Sequence, residues 1–88
     1  MTPLQGFECE QCGQVVFPAR TLCPRCADNR WREQPLVEGI AEQVTEHRGA
    51  PIASVRSDLG PIVLARSDAQ PGTRLRLWVE DGGPIASA

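Results

Sequence analysis

Four cysteines are the only thiols in the 88 residues, and their spacing is the most legible chemistry in the chain: Cys9-Glu-Gln-Cys12-Gly13, then Cys23-Pro24-Arg25-Cys26 after a ten-residue spacer. Two residues between cysteines let both sulfurs of a pair curl onto one metal ion while intervening backbone N–H groups point at the thiolates. Each pair is therefore half of a tetrahedral clamp. Gly13 tolerates the left-handed backbone that such a turn often needs. The doubled spacing predicts one structural Zn²⁺ held by the thiolates of Cys9, Cys12, Cys23 and Cys26.

Two other uses of four cysteines compete with this one. Two disulfides would suit a small exported module, but Met1-Thr-Pro-Leu-Gln-Gly has neither a basic n-region nor an apolar h-region. No apolar run approaches the ~18 residues of a membrane span. The chain reads as cytoplasmic, with no membrane partner, and in a reduced compartment paired cysteines are metal ligands. Iron is the second alternative, since rubredoxins use the same paired thiolate loops. They separate those loops by a much longer, aromatic-rich segment, whereas this chain has two Trp, two Phe and no Tyr in all. Zinc is preferred.

With the cysteines committed to metal, the chain has no free thiol, no Lys, no Tyr and a single histidine, His47. A closed four-thiolate zinc offers no position for water or substrate, which excludes Lewis-acid catalysis. His47 has no nucleophile or carboxylate pair in a recognisable arrangement around it and reads as a solvated loop residue. The expectation is a protein that is not an enzyme. Net charge is −2, and all nine basic residues are Arg. Four bound thiolates remove four charges and Zn²⁺ restores two, so the metal-bound chain carries −4. That acidity disfavours a sequence-blind grip on nucleic acid. Arg20 and Arg25 lie close to the cysteines, where compensation of the cluster's negative charge is favoured over contact with a partner carboxylate or phosphate.

The elements that must position these groups are short. Thr2 to Gly6 reads as a frayed lead-in. Val15-Val16-Phe17 is a short apolar strand that Pro18 ends by withdrawing a backbone donor. Trp31, after the second cysteine pair, is large enough to cover the metal site or plug the gap behind it, and packing is favoured over ligand binding. Pro35 marks a boundary, because the residue before a proline is pushed to extended geometry and the composition changes after it. In Gly39 to His47, local pattern leans to a helix with Gly49 as its C-cap, although Val and Thr also suit a strand. Pro51 to Arg56 is a strand, Asp58 to Pro61 a turn and Ile62 to Ala65 an apolar run suited to a buried strand, the two strands pairing as a hairpin. Ser67 to Gly72 is a loop. Arg74 to Val79 has the cleanest period of two in the chain, turning Leu75, Leu77 and Val79 to one side and Arg74, Arg76 and Trp78 to the other. Asp81-Gly82-Gly83-Pro84 stops it.

Short strands with frequent turns suggest an all-β chain with a small barrel. The run Cys9-x-x-Cys12-Gly13, Phe17-Pro18-x-Arg20, Cys23-Pro24-x-Cys26, followed by strands and Pro71-Gly72-Thr-Arg-Leu-Arg-Leu, resembles the family that joins a rubredoxin-like zinc ribbon to an OB-fold. The resemblance covers residues 7 to 80, and is sharp in the ribbon and weak in the barrel. It implies a zinc ribbon over residues 1–34, an OB-fold-like β-barrel over 35–88, and a strand instead of a helix at Gly39 to His47. It also implies the metal set Cys9, Cys12, Cys23 and Cys26.

Members of that family accompany thiolase-type, acyl-CoA-using enzymes. The resemblance therefore implies a non-catalytic accessory subunit in a hetero-oligomer with a thiolase-like enzyme, near its CoA site. The barrel here is abbreviated, so a CoA contact does not carry over. The expected docking surface is Phe17, Pro18, Arg20, Arg25 and Trp31. The alternative is a nucleic-acid-binding module using Arg74, Arg76 and Trp78 for phosphate contact and stacking.

Overall fold

In the computed structural model, which describes residues 2–80 and 82–88, all regular structure is β and falls into two sheets. The first holds β1 (Gln5–Cys9), β2 (Val15–Val16) and β3 (Trp31–Pro35) in the order β2-β1-β3, both pairings antiparallel. The second is a closed barrel of β4 (Glu38–His47), β5 (Ala50–Ser57), β6 (Ile62–Arg66), β7 (Arg74–Glu80) and β8 (Gly83–Ser87), in the order β4-β5-β6-β8-β7. This is the all-β ribbon and OB-like barrel expected from sequence.

Period-two burial builds the barrel. Along β7, Leu75 and Leu77 are buried, Val79 packs against the same core, and Arg74 and Arg76 are exposed. The interior is filled largely by small side chains, Ala41, Ala53, Ala65 and Ala86 beside Val55, Val63, Leu75 and Leu77. A barrel this narrow has room for little more. Where β4 passes β5, a Cβ on Gly39 would meet the Arg56 carbonyl oxygen at 2.5 Å and Val55 Cγ1 at 2.7 Å, so the close approach depends on glycine there.

Four local expectations are corrected. Thr2 to Gly6 is not frayed: the Val79 N–H donates to the Thr2 carbonyl at 2.8 Å, the Leu36 N–H to the Leu4 carbonyl at 2.8 Å, and Leu4 is buried in the barrel core. The local helical pattern of Gly39 to His47 gives way to β4, the strand that the resemblance implied there. Gly49 does not cap a helix: with Arg48 (φ 52°) and its own φ of 81° it makes the two-residue turn that suits a tight hairpin between β4 and β5. Ile62 to Ala65 is a strand but is buried on one face only, with Val63 and Ala65 inside and Ile62 and Leu64 exposed. Finally, the stop at Asp81 to Pro84, of which Asp81 lies outside the described residues, is followed by a strand, β8, that contains Pro84.

Proline fits inside β8 because of register. Ser57 donates its N–H to the Pro61 carbonyl and Ser67 to the Pro51 carbonyl, so the odd-numbered residues of β6 aim their backbone groups at β5 and the even-numbered ones away from it. In the parallel pair Arg66↔Ile85, Arg66 must then bond the residues on either side of Ile85, so Pro84 and Ala86 face β6. The nitrogen of Pro84 points away from β7, so its missing N–H breaks no rung of the β7–β8 ladder.

Candidate metal centre

Each cysteine pair sits in a turn, and the two turns repeat each other. In the first, Gly13 N–H donates to the Cys9 carbonyl at 2.9 Å and Cys9 N–H to the Gln14 carbonyl at 2.8 Å. In the second, Ala27 N–H donates to the Cys23 carbonyl at 2.8 Å and Cys23 N–H to the Asp28 carbonyl at 2.8 Å. β1 leads into the first turn, β2 leaves it, and β3 follows the second.

The turns bring the four sulfurs to within 4.8 Å of one another. Cys9 and Cys26 Sγ are 3.5 Å apart, Cys12 and Cys23 Sγ 3.6 Å. A tetrahedron with Zn–S bonds of about 2.3 Å separates its sulfurs by about 3.8 Å, so the cluster has the dimensions of one zinc site. Cys9 and Cys23 are buried while Cys12 and Cys26 are exposed, which places the site under one side of the sheet with its outer half toward solvent. The donor set, four thiols and no carboxylate or imidazole, suits Zn²⁺ in a closed structural site.

The turns also tune the thiols. Burial raises the Cys23 thiol, but the backbone N–H groups of Cys26 and Arg25, the latter 3.4 Å from Sγ, together with hydrogen bonds from the Cys12 and Cys26 thiols, outweigh it and bring the group down to about 7. At Cys26 a backbone N–H from Asp28 pulls down, yet burial and the three neighbouring thiols win and push it up to about 12. Four thiols this close cannot all ionise without a cation among them.

The arginine that binds this region together is Arg30, which the sequence reading did not single out. Its N–H and Nη2 donate to the two oxygens of Asp28 at 2.7 and 2.9 Å, its Nη2 reaches Gln11 Oε1 at 3.3 Å, and its carbonyl accepts from Glu10 at 3.0 Å. The exit of the second turn is thereby tied to the first. The signal in sequence was the Asp28-x-Arg30 spacing, which permits a local ion pair directly after Cys26.

The residues expected to dock a partner are spread over the ribbon. Pro18, Arg20 and Arg25 are exposed, and Arg25 faces Leu59, Gly60 and Pro61 across a groove that also takes in Cys12 and Gly13. Trp31 is half-buried opposite Cys9, with its Nε1 buried and without a hydrogen-bond partner among the described residues. Phe17 is half-buried and packs against the barrel core, so much of it is structural. Leu22, beside Cys23, is 53% exposed, a large apolar side chain that the ribbon leaves open. On β7, Arg74 is tied to Asp58 at 2.9 Å and Trp78 Nε1 to Glu80 at 2.8 Å. Arg76 and Trp78 line an apolar groove of about 610 Å³ with Pro3, Pro35 and Val37. His47 is exposed at the end of β4.

Residues 8–31 match the family model described as ChsH2, rubredoxin-like zinc ribbon domain. Two archaeal proteins named DUF35 domain-containing scaffold protein are similar over 81 residues, 92% of this chain. The one from Methanothermobacter thermautotrophicus is 28% identical with 61% of its length covered. The one from Methanocaldococcus jannaschii is 27% identical with 57% covered. The chain thus spans about 60% of the length of these relatives. Among solved structures, the Ltp2-ChsH2(DUF35) aldolase matches with a TM-score of 0.76 at 17% identity, over 96% of this chain and 83% of that one, a likeness of fold. These matches support a rubredoxin-like zinc ribbon joined to an OB-like barrel.

Proposed function

We propose, from the DUF35-type ribbon and barrel that this chain shares with its relatives, that it is a non-catalytic accessory subunit of an acyl-CoA-using enzyme complex, and that its partner is thiolase-like. The observation that carries this reading is the similarity, over 92% of the chain, to proteins named as scaffolds. The metal chemistry supports it: with Cys9, Cys12, Cys23 and Cys26 all on one zinc, the metal supplies cross-linking of the ribbon and nothing that turns over substrate. The setting is a reducing cytoplasm, in which the thiols stay available to zinc.

The docking surface we assign to the ribbon is Pro18, Arg20, Leu22 and Arg25, with Trp31 and Phe17 supporting it from beneath. Leu22 would fill an apolar pocket, while the arginines at the rim steer association more than they tighten it. The nucleic-acid reading is weaker. The outer face of β5 and β6, which OB-folds use for oligonucleotides, carries Ile52, Ile62 and Leu64 and no aromatic ring. Of its arginines, Arg56 is held by Glu42 at 2.7 Å and Arg66 reaches the Glu80 carbonyl at 3.3 Å.

Co-expression with a thiolase-like enzyme encoded beside this protein tests the reading. Co-purification is expected from the wild type, and Leu22→Asp should abolish it while zinc content stays at one per chain. If the two proteins do not associate and the thiolase is fully active alone, the accessory-subunit reading fails.

A further inference from the structure

The four thiols are not equally reachable. Cys9 and Cys23 are buried, at 0% and 3% exposure, whereas Cys12 and Cys26 are exposed, one in each turn. Cys12 also opens onto the groove of about 440 Å³ that runs between the ribbon and the Leu59-Gly60-Pro61 turn of the barrel, and Cys26 lies outside it. Arg25 stands in the same groove. It hydrogen-bonds through its backbone N–H, to Cys23 Sγ, and its guanidinium has no partner among the described residues. No carboxylate lines the groove, and that of Glu8, beside Gly13, is already engaged by Gln34 at 2.6 Å and Arg32 at 3.4 Å. Directly behind Cys12, the Sγ of Cys23 is 3.6 Å away. An accessible sulfur, an unpaired cation beside it and a second sulfur in contact are the parts that thiol–disulfide exchange needs.

We propose that Cys12 is a modification site, at which a small carboxylate-bearing disulfide exchanges with the metal-site thiolate and Cys23 is the resolving thiol. The inference is independent of any enzyme partner and concerns the chain before a partner covers Arg25. Size and charge select the reagent class. A groove of this volume falls within the range that takes small organic ligands, and the planar guanidinium of Arg25 accepts a carboxylate in two parallel hydrogen bonds. The Cys12 thiolate attacks one sulfur of the bound disulfide, whose S–S bond breaks; one half leaves as a thiolate and the other stays as a mixed disulfide on Cys12. The Cys23 thiolate then attacks the Cys12 sulfur, and the second half leaves. Two protein thiolates have been oxidised to one disulfide, and the external disulfide has been reduced to two thiolates. Cys9 and Cys26 are left as two ligands where a closed zinc site has four, so the ribbon gives up its metal. The exposed turn thereby couples zinc retention to the thiol–disulfide poise around the protein.

The test treats the zinc-loaded full chain with dithiobis(nitrobenzoate), a disulfide with a carboxylate on each ring, and in parallel with neutral dithiodipyridine. A chromogenic chelator follows zinc release, and acid quenching with peptide mass mapping locates the adducts. The first adduct should fall on Cys12 and be followed by a Cys12–Cys23 link, with two reagent thiolates set free for each zinc released. Arg25→Glu should slow release by the anionic reagent about tenfold at low salt, the lower end of what focused charge does to association, and leave the neutral reagent unchanged. The difference should shrink as salt is added. Leu59→Asp places a negative charge on the opposite wall of the groove, away from the metal loops, and should act in the same direction even where Arg25→Glu holds zinc poorly. A first adduct on Cys26 or on a buried cysteine, a link from Cys12 to Cys9 in place of Cys23, or equal slowing of both reagents by these substitutions overturns the inference.

Discussion

Gly13 and Ala27 hold equivalent places in the two halves of the metal site. Each follows the second cysteine of its pair, donates its N–H to the carbonyl of the first cysteine, and has a positive φ, 82° at Gly13 and 64° at Ala27. Only one of them is glycine. A left-handed backbone costs a residue with a Cβ roughly 1–2 kcal/mol. Ala27→Gly should therefore tighten zinc retention against a chelator by about 1 kcal/mol, and Gly13→Ala should weaken it by a similar amount. Competition with a chromogenic chelator measures both, and equal retention in the two variants would show that the turns are not equivalent.

Removing the metal should unfold the ribbon and loosen the barrel without dissolving it. β2 has two residues and the ribbon buries few apolar side chains, chiefly Val16 beside the ligands Cys9 and Cys23, so the clamp supplies most of its folding energy. Leu4 and Leu36 nevertheless belong to the barrel core, and Val15 and Phe17 pack on it, so disorder in the ribbon reaches that core. Cys12→Ser is expected to bring bound zinc to near zero, expose the amides of β1 to β3, and lower the barrel's melting temperature by about 4–8 °C for each kcal/mol of packing lost. A barrel melting at the wild-type temperature would mean that ribbon and barrel are energetically separate.

Leu75 and Leu64 are the same residue type on two strands of one barrel, with opposite exposure: 1% for Leu75 and 65% for Leu64. Leu75→Ala should cost about 2–5 kcal/mol, a large share of the stability of so small a core. Leu64→Ala should change the stability of the monomer by less than about 0.5 kcal/mol. Denaturant melts at low protein concentration separate the two, and a large loss at Leu64 would mean that β6 buries its other face.

The Asp28 carboxyl is held down to about 2, first by the Arg30 side chain and then by the Arg30 backbone N–H, against an ordinary value of 3.8. A carboxylate whose folded value is depressed contributes stability that is full above the unfolded value and is lost as pH falls through the folded one. The stability difference between the wild type and Asp28→Asn should thus be constant above about pH 5 and shrink between about pH 4 and 2. In an NMR titration, Arg30→Ala should return the Asp28 midpoint toward 3.8.

The sequence by itself determined whatever depends on near neighbours. The ligand set follows from a two-residue spacing that any chain must satisfy to bring two sulfurs to one metal, and the alternation of Arg74 to Val79 fixes which side chains share a face wherever that strand lies. The same local reading failed where distant residues decide. Gly39 to His47 is equally compatible with two periods until β5 and β7 pair with it. The closing strand β8 was illegible because Gly83-Pro84 reads as a stop, and proline is tolerated there only because register turns its nitrogen away from the β7 ladder, toward the seam where β8 meets β6 at the one pair Arg66↔Ile85 among the described residues. Thr2 to Gly6 looked frayed because its partners, Leu36 and Val79, are far away in sequence. Ala27 carried no mark of its left-handed backbone; the repeat of the first turn by the second imposes it. Local spacing sets chemistry and faces, while the backbone pairings across the sheets decide which edges close, because each of those hydrogen bonds joins residues that the sequence holds apart.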